Sequence, residues 1–133
     1  MSSLLEEVTT LQARYCRGVD DRDPDLLRSL VADDVEIVGA DGVRNFGVDG
    51  FMGVFDRYWA RNPGPVLHLV SNVELLGDEV RSLFHAVSRQ PDGSIQQTWG
   101  RYRDAVVRAG HGGLVFAAKR IDVVLRVRLP VDQ

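Results

Sequence analysis

Two histidines stand out as groups able to move a proton near neutral pH. His68 lies in Val66–Leu76 and His85 in Glu79–Arg89, two runs that alternate polar and apolar residues on either side of a Gly77-Asp78 turn. Imidazole is the side chain whose unperturbed charge changes between pH 5 and 8. The third histidine, His111, sits in a Gly-rich turn and is expected to be exposed. If both mid-strand histidines faced one pocket, one could act as base and the other as acid or carbonyl donor, an arrangement typically worth ~10²–10⁴-fold. A carboxylate that accepts from one imidazole nitrogen fixes the tautomer and leaves the other nitrogen free to work. Asp20 and Asp21 close the first helical segment. An acid there opposes the helix dipole and so calls for another reason to be in place. A mid-strand histidine on its own is as readily a satisfied core residue.

The elements that must position these groups follow from periodicity. Leu4, Val8, Leu11, Tyr15 and Val19 recur at helical spacing behind Ser3 and Glu6, predicting a helix from Ser3 to Val19. Asp23-Pro24 starts a second helix running to about Ala32, where Asp33-Asp34 breaks it. Val35–Ala40 and Val43–Phe46 read as a hairpin across Asp41-Gly42. Asp49 is expected to cap a third helix with an aromatic face of Phe51, Phe55, Tyr58 and Trp59, ending before Asn62-Pro63-Gly64-Pro65. From there the period switches to two, giving strands over 66–76, 79–90, 94–109 and 114–128. The order α-α-β-β-α-β-β-β-β predicts an α+β fold in one domain covering 1–133: a cone-shaped α+β barrel with three N-terminal helices packed on a curved, mostly antiparallel sheet.

Composition narrows the function. At 133 residues, with a net charge of −3 and no basic stripe with interleaved aromatics, the chain has no nucleic-acid signature. No apolar run is long enough to span a membrane, and no basic, apolar leader opens the chain. The single cysteine, Cys16, excludes an internal disulfide and is read as a buried packing residue. These features point to the cytoplasm. Lys119 is the one lysine, so a Schiff-base mechanism would have to use it, and nothing around it suggests so. His68, His85 and Asp20 could form a facial metal triad on paper. Strand six carries apolar residues on both faces, which predicts that the outer sheet face meets another copy of the chain.

The element order and the segment Tyr15–Asp34, with its Asp20-Asp21-Arg22-Asp23-Pro24-Asp25 run and closing Ala32-Asp33-Asp34, resemble the nuclear transport factor 2-like superfamily. Within it, His68-Leu69-Val70-Ser71-Asn72 followed by His85 is similar to the SnoaL-like branch and to scytalone dehydratase-like sequences; Thr98-Trp99-Gly100-Arg101-Tyr102 also fits that branch. The resemblance implies a catalytic set of Asp20, His68 and His85, eliminating water without metal or organic cofactor. His85, oriented by Asp20, would be the base and His68 the acid or carbonyl donor. Tyr15, Asn72, Phe55, Trp59 and Thr98 would contact the substrate. The chain departs from the dehydratase where Val19 and Gly39 replace two tyrosines that hold a water on the carbonyl, and where Gln96 and Thr98 form the polar pair of the fifth strand. The steroid isomerases' catalytic Asp would fall near Gly39, so that route has no support here.

The leading expectation is therefore a cofactor-independent dehydratase, isomerase or cyclase acting on a small apolar oxygenated substrate, self-associating as a homodimer or homotrimer through the outer sheet face. The alternatives are a non-catalytic module for a hydrophobic ligand and a purely structural dimerisation domain.

Overall fold

The computed structural model describes residues 2–131. Its elements are α1 (Leu4–Asp20), α2 (Pro24–Ser29), β1 (Val31–Val38), β2 (Arg44–Phe46), α3 (Gly47–Arg61), β3 (Val66–Leu76), β4 (Glu79–Arg89), β5 (Ile95–Arg108) and β6 (Leu114–Leu129). The six strands form one sheet in the order β2-β1-β6-β5-β4-β3, antiparallel except where β1 runs parallel to β6. The sheet curls around the helices without closing, since β2 and β3 are its two edges. The α+β cone expected from the element order is thus present, as an open cone and not a closed barrel.

The helix ends show why the boundaries fall where they do. The Ser3 hydroxyl accepts the Glu6 backbone N–H at 3.1 Å and starts α1; the Asp23 carboxylate accepts the Leu26 N–H at 3.0 Å and starts α2, with Pro24 in the first turn. Two expectations need correction. The second helix stops at Ser29, because Val31 already pairs with Phe116 of β6; Asp33 and Asp34 lie in an irregular stretch of β1, where the register shifts between Val31 and Glu36. Asp49 does not cap α3: that helix begins at Gly47, Phe46 occupies the cap position without a side-chain hydrogen bond, and Asp49 sits in the first turn.

The core lies between the helices and the concave sheet face. Leu11, Tyr15, Val19, Leu27, Ile37, Phe51, Phe55, Phe84, Tyr102 and Phe116 are all buried in it. Gly18 lets α1 and α2 approach, since a Cβ there would stand 2.8 Å from Leu27 Cδ2. The convex face is different: Leu67, Leu69, Leu83, Leu125 and Val127 are exposed on it.

The decisive detail of the sheet is a β-bulge in β3. Next to the Gly77-Asp78 turn, Leu76 pairs with Glu79 and Glu74 with Arg81. Continued unbroken, that register would set Val70 opposite His85 and put His68 and His85 on the same face. Instead the register shifts between Ser71 and Glu74, with Asn72 at φ +54°. Beyond the shift Ser71 pairs with Leu83, Leu69 with His85 and His68 with Ala86. A one-residue slip moves every side chain of a strand to the other face, and the two histidines end up on opposite sides of the sheet.

Candidate active site

Asp20 closes α1, and β3 runs beside that helix end as the open edge of the sheet. The Asp20 carboxylate uses both oxygens on one residue: Oδ1 lies 2.7 Å from His68 Nδ1, and Oδ2 accepts the His68 backbone N–H at 2.9 Å. This double contact offsets the unfavourable helix-dipole position of the acid. Both side chains are mostly buried, His68 at 8% and Asp20 at 14% exposure, which shelters the contact from solvent screening. With Nδ1 facing a carboxylate, the neutral form of the imidazole is the tautomer that carries its proton there and leaves Nε2 as the acceptor. The Tyr58 ring of α3 meets the His68 ring edge-on at 5.6 Å.

His68 lines a cavity of about 330 Å³ inside the cone, at the small end of the range for ligand pockets. Its apolar walls come from Val19, Val54, Phe55, Phe84, Ala86, Ile121 and Val123. Tyr15 and Tyr102 contribute a floor, their rings edge-on at 5.8 Å. Burial holds both phenols well above the ordinary phenol range, so they are neutral hydroxyls. Burial, reinforced by the Asp20 charge, pushes Tyr58 up to about 12. The polar lining consists of Asn62, Ser88, Gln90, Gln96 and Thr98, with Arg61 and Arg126 among them. Gln90 Nε2 donates to Asn62 Oδ1 at 3.1 Å and to Ser88 Oγ at 2.8 Å, so this wall is held by its own hydrogen bonds.

Of the expected site residues, the structure brings together Asp20, His68, Tyr15, Phe55 and Thr98. His85 is not with them. It is on the convex face, stacked flat on Trp99 with ring centroids 4.7 Å apart and its Nε2 3.0 Å from Gln97 Oε1. The bulge at Asn72 is the reason, and it also prevents the His68, His85 and Asp20 metal triad from assembling. Among the described residues no three His, Cys, Asp or Glu side chains cluster to hold a metal. Asn72 is itself misplaced as a substrate contact: it is exposed in the bulge, beside Arg81 and Arg101 and away from the cavity. Trp59 is not on the cavity wall either. Its Nε1 donates to the Val19 carbonyl at 2.9 Å, satisfying one of the open carbonyls at the end of α1, and its ring packs toward Phe55 at 6.4 Å. It fixes the helix end that carries Asp20.

Sequence reasoning misses Tyr102, Arg61 and Arg126. A signal exists for Arg126: with Arg128 it interrupts a run of valines and leucines at a spacing of two, which places both arginines on one strand face. Arg22 also escapes a reading of the sequence. Its guanidinium donates to the carbonyls of Asn62 at 2.6 Å and Gly64 at 2.9 Å, tying the α1–α2 turn to the segment that follows α3.

Under the floor lies a buried ion pair. Lys119 Nζ is 3.1 Å from both Asp104 oxygens, and Gln12 Nε2 donates to Asp104 Oδ2 at 2.6 Å. The ammonium sits among three rings, 3.9 Å from the Tyr102 centroid, 4.3 Å from Tyr15 and 4.5 Å from Phe116. Both ionic side chains are fully buried and neither lines the cavity, so the ammonium is sealed from a ligand held there.

A family model described as the SnoaL-like domain matches residues 2–120, and the chain belongs to that family, within the nuclear transport factor 2-like superfamily. Solved structures share the fold at low identity. Hexachlorocyclohexane dehydrochlorinase LinA-type3 from Novosphingobium barchaimii superposes with a TM-score of 0.80 at 18% identity, over 92% of this chain and 88% of that one. A protein of Novosphingobium aromaticivorans provisionally described as a scytalone dehydratase gives 0.81 at 20% identity, over 96% and 89%. A single-substitution variant of a Mycobacterium tuberculosis protein of unknown function gives 0.76 at 20% identity, over 90% and 71%. No curated protein matches in sequence.

Proposed function

We propose that the protein is a cofactor-independent acid–base enzyme in which His68, oriented by Asp20, is the general base for a small, largely apolar, oxygenated molecule in the cone cavity. The observation that carries this reading is the 2.7 Å contact between Asp20 Oδ1 and His68 Nδ1 on an imidazole that lines the cavity. An oriented base beside an apolar cavity suits removal of a proton next to a carbonyl, with loss of a neighbouring hydroxide or halide or with migration of a double bond. The names of two structural neighbours, a dehydrochlorinase and a protein described as a dehydratase, lend support, since both name eliminations. Tyr15 and Tyr102, neutral and deep in the site, are placed as hydrogen-bond donors to developing negative charge. Compared with the two-histidine scheme, the base is reassigned from His85 to His68 and the second imidazole has no role in the cavity.

That loss gives a second reading its footing. A cavity faced by one histidine alone also suits a module that binds an apolar ligand without transforming it. The exposed convex face, with Leu69, Leu83 and Leu125 around the His85–Trp99 stack, supports self-association through that face as part of either reading.

The test is to incubate the protein with a panel of β-hydroxy and β-halo ketones and acids and to follow alkene formation by ultraviolet absorbance. Turnover that disappears in His68→Gln supports the enzyme. Ligand binding in the cavity with no turnover across the panel supports the binding module.

A further inference from the structure

The charge around the cavity runs against that of the whole chain. Acids outnumber lysine and arginine by 19 to 16 overall, yet Arg61 and Arg126 line the cavity and no Asp or Glu does. Asp20 stands behind His68 and is already engaged by it. Among the described residues neither arginine forms a salt bridge; acids pair instead with Arg28, Arg44, Arg81, Arg108 and Arg120, none of which lines the cavity. Arg126 donates one long hydrogen bond, 3.5 Å from Nε to Thr98 Oγ1, which leaves the rest of its guanidinium fork unused. The two arginines come from α3 and β6, far apart in sequence, and both line this one cavity.

We propose that the ligand of this cavity is a monoanion with an apolar body, a small carboxylic acid whose carboxylate is held by Arg61 and Arg126 while its body lies against Phe55, Phe84 and Val123. A planar carboxylate matches the guanidinium fork, which can grip both oxygens. The cavity volume of about 330 Å³ limits the body to a single ring or a short chain. Both arginines are exposed, so they can capture an anion from solution and are screened by salt while doing so. This inference deepens the proposed function by naming its substrate class, and it rests on that reading for the location of the site.

Calorimetric titration of the full chain with 3-phenylpropanoate and with its neutral amide, 3-phenylpropanamide, tests it. The acid should bind at least about tenfold more tightly than the amide, with the advantage shrinking as salt rises from about 50 to 300 mM. Arg61→Gln with Arg126→Gln should erase that advantage and leave amide binding within about twofold; both sites are exposed, and an unchanged thermal midpoint verifies the fold. His68→Gln should keep the preference for the acid. Equal binding of acid and amide, no binding of either, or a preference that survives the double substitution overturns the inference. Because this readout is binding, the two proposals fail separately: acid preference here with no turnover of the β-hydroxy and β-halo panel sinks the base, and turnover of that panel without acid preference sinks the anion site.

Discussion

Asp20 holds His68 at two points, the ring Nδ1 at 2.7 Å and the backbone N–H at 2.9 Å. The first contact fixes the proton on Nδ1, and the second fixes the strand that carries the ring. The ¹⁵N spectrum of His68 should therefore show the Nδ1–H tautomer as its neutral form, with Nε2 perturbed when a ligand fills the cavity. Asp20→Asn should abolish the tautomer preference and lower any turnover by about 10²–10⁴-fold. A His68 protonated at Nε2 in the unmodified protein would remove the base from the account.

The bulge at Asn72 determines which histidine enters the cone, and its backbone is in the left-handed region at φ +54°. Asparagine and glycine tolerate that conformation, while a β-branched residue does not. Asn72→Gly should leave stability within about 0.5 kcal/mol, and Asn72→Val should cost about 1–2 kcal/mol in chemical denaturation. Equal midpoints for the two variants would show that the bulge does not depend on this residue.

How far the sequence discloses the site is clear from the same segment. The four long strands fall within a residue or so of their expected bounds, because tight turns and clean alternation mark them. Asp20, His68, Tyr15, Phe55 and Thr98 follow from the element order and the family resemblance. The faces do not follow, because alternation reports that two residues share a strand face without saying which face is covered. Arg81 and Arg89 share the parity of His85 in β4 and both are exposed; they are the one cue that this face looks outward. The bulge has no such cue beyond an asparagine in mid-strand. The apolar character of Trp59 suggests a ligand contact, but a helix end claims its indole N–H instead. The second helix reads too long in sequence because Leu30 and Val31 keep helical spacing while Val31 joins the sheet.

The Lys119–Asp104 pair is fully buried, where desolvation lowers the lysine and raises the aspartate against their mutual attraction. Removing Lys119 leaves the Asp104 carboxylate buried with the Gln12 amide as its one remaining side-chain donor among the described residues. Lys119→Met should cost about 3–5 kcal/mol in urea unfolding, whereas Lys119→Met with Asp104→Leu should recover most of that loss. Two losses that simply add would indicate that the charges are not coupled.

Burial pushes the Cys16 thiol up to about 12. The folded chain keeps this proton while an unfolded thiol loses it near 8.5. Unfolding therefore releases a proton between about pH 8.5 and 12, and stability contributed by this group declines as pH rises through that window. At pH 8 Cys16 should resist iodoacetamide in the native protein and react readily in denaturant. Rapid native labelling at pH 8 would show an accessible thiolate.

In the proposed reaction one histidine, His68, does the proton transfer and His85 takes no part. On any compound the protein turns over, the comparison to make is His68→Gln against His85→Gln, with circular dichroism to check folding of both. A loss of about 10²–10⁴-fold in kcat/KM is expected for His68→Gln and a change within about twofold for His85→Gln. A folded His68→Gln variant that keeps its activity, or a His85→Gln variant of unchanged assembly that loses it, would contradict the assignment.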